Sequence, residues 1–287
     1  MDKGTGSAGD LYVVATPIGN LQDISARALE VLRSVALVAA ENTRHSSKLL
    51  AHYGIATPLL ALHEHNEGEV TGKLLTMLRA GKDIALVSDA GTPLISDPGF
   101  QLLRALRAER IRAIPVPGAS ACIAALSVAG LPTDRFVFEG FLPPRQAARR
   151  QRLLALQTES RTLVFYEASH RIRACLADLR HCLGDAREAT VAREMTKTFE
   201  TILQGTLEQI ADRVQADANQ EKGEFVILVH GAAPRDRCGV DTAAAGVLEI
   251  LLAELPLKQA ASLAAKITGI SRNRLYEHGL TIKKGRQ

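Results

Sequence analysis

The chain has 287 residues, about two ordinary domains by length. Hydrophobic residues make up 46% and charged residues 23%, which suits a chain that buries a core and excludes a disordered polymer. With 35 Lys+Arg against 31 Asp+Glu the net charge is +4, so the whole chain is no polycation and any nucleic-acid contact must be a local patch. Along the chain, the apolar run at 11–15 closes on Thr16-Pro17-Ile18-Gly19-Asn20, which predicts a buried strand and a turn. Asp23 is expected to cap a helix in which Ile24, Ala28, Val31 and Leu32 recur at helical spacing. Strands are then expected at 35–40, 58–62, 83–88 and 113–116, alternating with helices at 46–52, 67–80, 99–109 and 120–129. Continuous apolar strands between helices indicate a parallel sheet covered on both faces.

Gly130-Leu131-Pro132-Thr133-Asp134 punctuates that pattern. Beyond it, strands are expected at 136–141, 162–166, 188–193, 198–204 and 224–229, with helices at 149–157, 169–182 and 207–215. The close spacing of strands in this half favours a mixed sheet. Residues 232–245 read as a linker. Helices at 246–254, 257–268 and 272–277 then suggest a helix-turn-helix module. The expected division is a disordered tail at 1–10, an α/β domain at 11–131, a second at 132–232, and a linker with a helical module at 233–287. Cys122, Cys175, Cys182 and Cys238 lie far apart with no C-x-x-C pair, which fits a reduced chain better than a zinc site or disulfide framework. No run approaches the roughly 18 apolar residues that span a bilayer, and the first ten residues lack a signal-peptide core. A cytoplasmic protein without membrane association is expected.

Familiar nucleotide signatures fail on context. Gly4-Thr5-Gly6-Ser7-Ala8-Gly9 matches G-x-G-x-x-G but precedes the first strand, and there is no P-loop. His63-Glu64-His65 lacks the i, i+4 spacing of a zincin, though it follows a strand and so stands where pocket residues collect. The 86–99 segment says more. A buried strand runs into a long loop at the sheet edge where α/β proteins bind ligands. There Gly91 permits close backbone approach, Pro93 and Pro98 stiffen the chain, and Asp89 can accept from a hydroxyl or amine. An ordinary connection with Asp97 as a cap is the alternative. Pro115-Val116-Pro117-Gly118-Ala119-Ser120-Ala121 repeats the design at a helix N-terminus. In the second half, 165–171 and 192–200 again place polar groups after strands, the latter with four charges or, alternatively, as a solvated turn.

These motifs, in this order, resemble the tetrapyrrole-methylase superfamily, the class III S-adenosylmethionine-dependent methyltransferases. Within it they are similar to the bacterial branch that methylates a ribose 2′-oxygen of a decoding-centre (P-site) cytidine in 16S rRNA. The residues that carry the resemblance are Thr16-Pro17-Ile18-Gly19-Asn20-Leu21, Glu41-Asn42-Thr43-Arg44-His45, the 87–99 loop, 165–171 and 192–197. Lys222-Gly223-Glu224 and Glu254-Leu255-Pro256-Leu257-Lys258 extend it. Asn42 departs from a frequent Asp and Ala15 from a frequent Pro. The resemblance implies a two-domain tetrapyrrole-methylase-like α/β fold, usually a homodimer, with S-adenosyl-L-methionine in the cleft between the domains and a helix-turn-helix extension. Carried onto this chain, Asp89, Ala90, Gly91 and Thr92, with Ser120 and Ala121, would hold the donor. Tyr166, Ala192 and Phe225 would close around its adenine, and Leu62 and His63 would be neighbours on the first-domain side.

Transfer of a methyl group from a sulfonium is an in-line displacement, so alignment carries much of the catalysis. A protonated ribose hydroxyl is a poor nucleophile and needs a base or a cation beside it. Lys197, Glu200, Arg193 and His63 are the candidates. Lys197 is expected as the electrostatic helper, with Glu200 or Glu194 orienting it. The chemistry requires no metal, and the sequence offers no ligand cluster. Arg44, Arg145, Arg149, Arg150 and Arg152, with Lys258, Lys266, Arg272, Arg274, Lys283, Lys284 and Arg286, are candidate contacts to RNA phosphates within the small ribosomal subunit. Two rival readings are a methyltransferase acting on a small tetrapyrrole and a ribosome-assembly factor without turnover.

Overall fold

In the computed structural model, which describes residues 8–233 and 242–284, the first sheet is built from β1 (Leu11–Val14), β2 (Leu37–Ala40), β3 (Leu59–Ala61), β4 (Ile84–Val87) and β5 (Ala113–Val116). Its order is β3-β2-β4-β1-β5 and every pair is parallel. All four residues of the central β4 are buried, as a strand covered on both faces requires. Ile84 and Leu86 join a cluster with Leu74, Leu78, Leu102 and Leu106, while Ala85 and Val87 join one with Ala28, Leu32 and Leu50. The helices behind these clusters are α1 (Ala26–Ser34), α2 (Thr43–His52), α3 (Glu67–Arg79) and α4 (Phe100–Glu109), and α5 (Ala121–Val128) follows β5.

Several boundaries differ from the sequence expectation because distant or unnoticed groups cap the helices. Ser25, not Asp23, caps α1, its hydroxyl accepting from Ala28 N at 3.1 Å, while Asp23 ends a short 3-10 turn. α2 begins at Thr43 because Asn42 Oδ1 accepts from the N–H groups of Arg44 and His45. Asp97 does not cap α4. That end is served by Glu67, whose Oε1 accepts from Gln101 N at 2.7 Å and Leu102 N at 3.3 Å. The tail expected at 1–10 is also too long. Gly9 N donates to Leu78 O, and Asp10 is buried against a bidentate Arg112 at 2.9 and 2.7 Å. Most of the glycine-rich stretch before it lies outside the described residues.

The second sheet contains β6 (Phe136–Phe141), β7 (Thr162–Ala168), β8 (Glu188–Arg193), β9 (Thr201–Thr206) and β10 (Glu224–Val229). Its order is β6-β7-β10-β8-β9; β6 and β7 are parallel and the remaining pairs antiparallel, giving the expected mixed sheet. α6 (Gln146–Ala155), α7 (Ile172–Leu183) and α8 (Leu207–Ala216) cover one face through Leu153, Leu176, Leu179 and Ile210 against Phe165, Val191 and Ile227. The other face receives α5, whose Cys122, Ala125 and Leu126 pack against Val164, Ala192, Val226 and Leu228. Both sheets therefore share one compact unit, Met1–Gly231.

Ala232–Gln287 form the second unit. α9 (Thr242–Glu254), α10 (Leu257–Thr268) and α11 (Arg272–Lys284) enclose a small core of Leu248, Ala260, Ala261, Ala264 and Leu275. α9 starts earlier and α11 runs further than the sequence periodicity indicates. Cys122, Cys175 and Cys182 are free and buried; Cys238 lies outside the described residues. Among the described residues no helix is long and apolar enough to cross a membrane, and no group of three or more His, Cys, Asp or Glu is placed to hold a metal ion.

Candidate active site

A cleft of about 320 Å³ opens between the two sheets. Its first wall is the loop that leaves β4. Thr16, just past β1, forms an antiparallel bridge with Gly91, Thr16 N donating to Gly91 O at 2.9 Å and Gly91 N to Thr16 O at 3.0 Å. Gly91 has φ +82°, and a Cβ there would stand 3.3 Å from Ile18 Cγ2, so backbone conformation and close approach both call for glycine. Thr92 Oγ1 donates to Ala119 O at 3.1 Å and ties this loop to the one before α5. Leu94 and Ser96 also hold positive φ, 73° and 74°, a strain of order 1–3 kcal/mol each that only a constrained loop sustains.

Three carboxylates face the cleft from this wall: Glu41, Asp89 and Asp97. Burial pushes all three above the ordinary carboxylate range. For Asp97 the like charges of Glu41 and Asp89 add to burial and outweigh a hydrogen bond with Ser88, bringing it to about 6. Asp89 Oδ1 is buried without a hydrogen-bond partner.

The second wall carries Tyr166, against which Phe138 and Phe141 pack edge-on at 5.0 and 5.7 Å. The Tyr166 hydroxyl accepts from Cys122 N in the first turn of α5 at 3.1 Å, and burial pushes its pKa up to about 12, so it remains a phenol. After β8 the 194–199 segment crosses to the first wall. Glu194 and Thr196 take positive φ there, and Thr196 Oγ1 accepts from Asn20 N at 3.1 Å. A Cβ on Gly19 would lie 2.4 Å from Lys197 Cγ, which explains glycine at that point. Lys197 Nζ donates to Glu194 Oε1 at 2.8 Å and Glu224 Oε2 at 2.9 Å. Burial pulls its pKa down, but the two carboxylates together outweigh that and hold it above the ordinary lysine value.

The tetrapyrrole (corrin/porphyrin) methylases match this chain over residues 10–211, and the RsmI C-terminal HTH domain matches residues 239–283. Ribosomal RNA small subunit methyltransferase I of Pseudomonas aeruginosa is 60% identical over 275 residues, covering 96% of this chain and 98% of its own length. The protein of the same name from Escherichia coli O157:H7 is 51% identical over 274 residues, 96% of each chain. The chain belongs to the tetrapyrrole methylase family, in its ribosomal RNA small subunit methyltransferase I branch. Solved structures share its fold: a cobalt precorrin-4 methyltransferase has a TM-score of 0.60 at 20% identity, covering 77% of this chain and 94% of its own. Diphthine synthase has a TM-score of 0.59 at 15% identity, covering 78% and 90%.

On this tetrapyrrole methylase scaffold, Asp89, Ala90, Gly91, Thr92, Ser120, Ala121, Tyr166, Phe225 and Lys197 all line the cleft. Leu62 and Ala192 do not; both are wholly buried, Leu62 in the first-sheet core and Ala192 beneath α5. His63 is also off the cleft wall, its backbone N–H donating to Asn66 Oδ1. Arg193 is buried and holds the loop, donating to Lys222 O at 2.6 Å and Phe199 O at 2.9 Å. Glu200 accepts from Thr196 N, so Glu194 and Glu224, not Glu200, are the partners of Lys197. Arg149 is buried on Asp178 at 2.7 Å and is not a phosphate contact; Arg150 shares that carboxylate at 2.6 Å, and Arg152 pairs with Glu139. Arg44, Arg145, Lys258, Lys266 and Arg272 are exposed and Arg274 half-buried, while the side chains of Lys283, Lys284 and Arg286 lie outside the described residues. Glu41, Asp97, Met195 and Glu224 line the cleft without having been singled out as site residues. For Glu41 the signal was available, since a carboxylate directly follows the apolar run of β2.

Proposed function

We propose that the chain transfers a methyl group from S-adenosyl-L-methionine to the ribose 2′-oxygen of the decoding-centre (P-site) cytidine of 16S rRNA. The observation that carries this is 60% identity over nearly the full length of both chains to a protein named ribosomal RNA small subunit methyltransferase I. The cleft suits such a donor. Ile18, Met195, Phe225 and Val226 offer apolar walls for a purine, and the unpartnered Asp89 Oδ1 is an acceptor for a hydroxyl or amine. Glu41, Asp89 and Asp97 set an anionic field that favours a cationic donor over its neutral thioether product.

The donor supplies a methyl group made electrophilic by a sulfonium. The chain supplies alignment, worth roughly 7–11 kcal/mol when reacting groups are held in line. Gly91 and Thr92 fix the first wall, Tyr166 and Phe225 the second. Lys197, a charged ammonium between two carboxylates, is no proton acceptor; it joins the strap at residues 194–199 to the cleft and sets the local field. Arg44, Arg145, Lys258, Arg272 and Arg274 are the proposed contacts to the RNA backbone, and the enzyme is proposed to act as a cytoplasmic homodimer. Mapping ribose methylation in 16S rRNA tests the reading. Deletion of the gene should abolish methylation at one decoding-centre cytidine and a plasmid copy should restore it. An unchanged map would overturn the proposal.

A further inference from the structure

A second cavity, about 350 Å³, shares Asp89, Ala90, Lys197 and Glu224 with the proposed donor cleft and so adjoins it. Its outer wall is α2, which contributes His45, Lys48 and Leu49. The exposed face of that helix carries Arg44, His45, Lys48 and His52, and the helix has no acidic residue. Neither Arg44 nor Lys48 has a carboxylate partner among the described residues, so this face is a cationic track suited to a polyanion. At the cavity end of the track, Asn42 Oδ1 accepts from the His45 N–H and fixes the first turn, while the imidazole makes no hydrogen bond among the described residues. A protonated His45 would lower the carboxyl pKa values of Asp89 and Glu41 against the upward push of burial, and the Asp89 oxygen Oδ1 is buried without a partner.

We propose that this second cavity receives the acceptor nucleotide and that His45 is the group that takes the proton from its hydroxyl, with Asp89 as a positioning residue. The assignment rests on the methyltransferase reading above. In the step, the acceptor oxygen forms a bond to the methyl carbon as the carbon–sulfur bond breaks, the bonding pair leaving with sulfur, which becomes a neutral thioether. The hydroxyl proton goes to the imidazole, so one positive charge passes from sulfur to His45. The groups facing His45 suit that arrival. Asp89 and Glu41 stand at the C-terminal ends of β4 and β2, and Glu224 comes from the second sheet; of the cations, Lys48 lies on the same helix as His45, and Lys197, across the cavity, is held by Glu194 and Glu224. Lys197 is already protonated and ion-paired, and a carboxylate base here would gain no cation to set against the RNA backbone.

The test uses the full chain with His45→Ala and His45→Gln, S-adenosylhomocysteine binding by calorimetry, and methylation of small ribosomal subunits at saturating donor. Both variants should keep product affinity within about twofold, which also reports that they fold. Turnover should fall by about 100-fold or more, the range of general-base catalysis. Added imidazole should recover turnover in His45→Ala and leave the wild type unchanged. Undiminished turnover, or a loss that imidazole does not relieve, overturns the role of His45. A wild-type chain that leaves subunit RNA unmethylated sinks the functional reading itself, and is told apart by that control.

Discussion

Gly91 shows how much of the cleft depends on one missing side chain. Its backbone is left-handed, it is locked to Thr16 on both sides, and Ile18 stands where a Cβ would go. Gly91→Ala should cost about 1–2 kcal/mol of strain at that point and weaken donor binding about tenfold, while Gly91→Arg should abolish it by filling the cleft. Equal affinities by calorimetry would place the donor elsewhere. Asp97 makes a different prediction. Its folded pKa is raised from 3.8 to about 6, so between those values the folded chain holds a proton the unfolded chain has released. Stability from this group is therefore present at low pH and lost as pH rises through about 6. Asp97→Asn should gain thermal stability over wild type at pH 7, and the gap should close toward pH 4; a gap that ignores pH would refute the assignment. That Asp89 and Gly91 would line a pocket was legible from their loop alone. Asp97 was not, because its state depends on Glu41 and Asp89, which reach it only in the folded chain.

Among the elements, α6 and α7 are joined by charge as well as by apolar packing. Asp178 on α7 is wholly buried and receives Arg149 and Arg150 of α6, whose pull outweighs burial and holds its carboxyl below the ordinary range. Asp178→Ala leaves the buried Arg149 guanidinium without its partner and should destabilise the chain by about 3–5 kcal/mol in denaturant unfolding, whereas Arg145→Ala, on an exposed side chain, should do little. The order and type of the strands and helices through the two sheets followed from apolar runs and helical spacing. Their ends did not, since α4 is capped by Glu67 from 34 residues away and α1 by a serine two residues past the expected aspartate. Arg149 illustrates the same limit in the site. A crowd of arginines at a helix start looks like a phosphate track in sequence, and only the position of Asp178 divides it into buried and exposed members.

For the whole molecule, division into Met1–Gly231 and Ala232–Gln287 predicts separable labours. A chain truncated after Ala233 should keep donor affinity, bind small subunits at least about tenfold more weakly, and show a shallower dependence of that binding on salt. Unchanged subunit binding would deny the helical module a part in RNA recognition. Light scattering should return twice the chain mass for the intact protein. Within the first unit, α5 leaves the first sheet and puts its apolar face under the second, where Cys122, Ala125 and Leu126 meet Val164, Ala192, Val226 and Leu228. The second sheet cannot lose the first half of the chain without uncovering this face. The two α/β halves should thus melt as one cooperative transition, with calorimetric and van't Hoff enthalpies equal across residues 8–231, and the seam that shapes the cleft is also what keeps it from opening by partial unfolding.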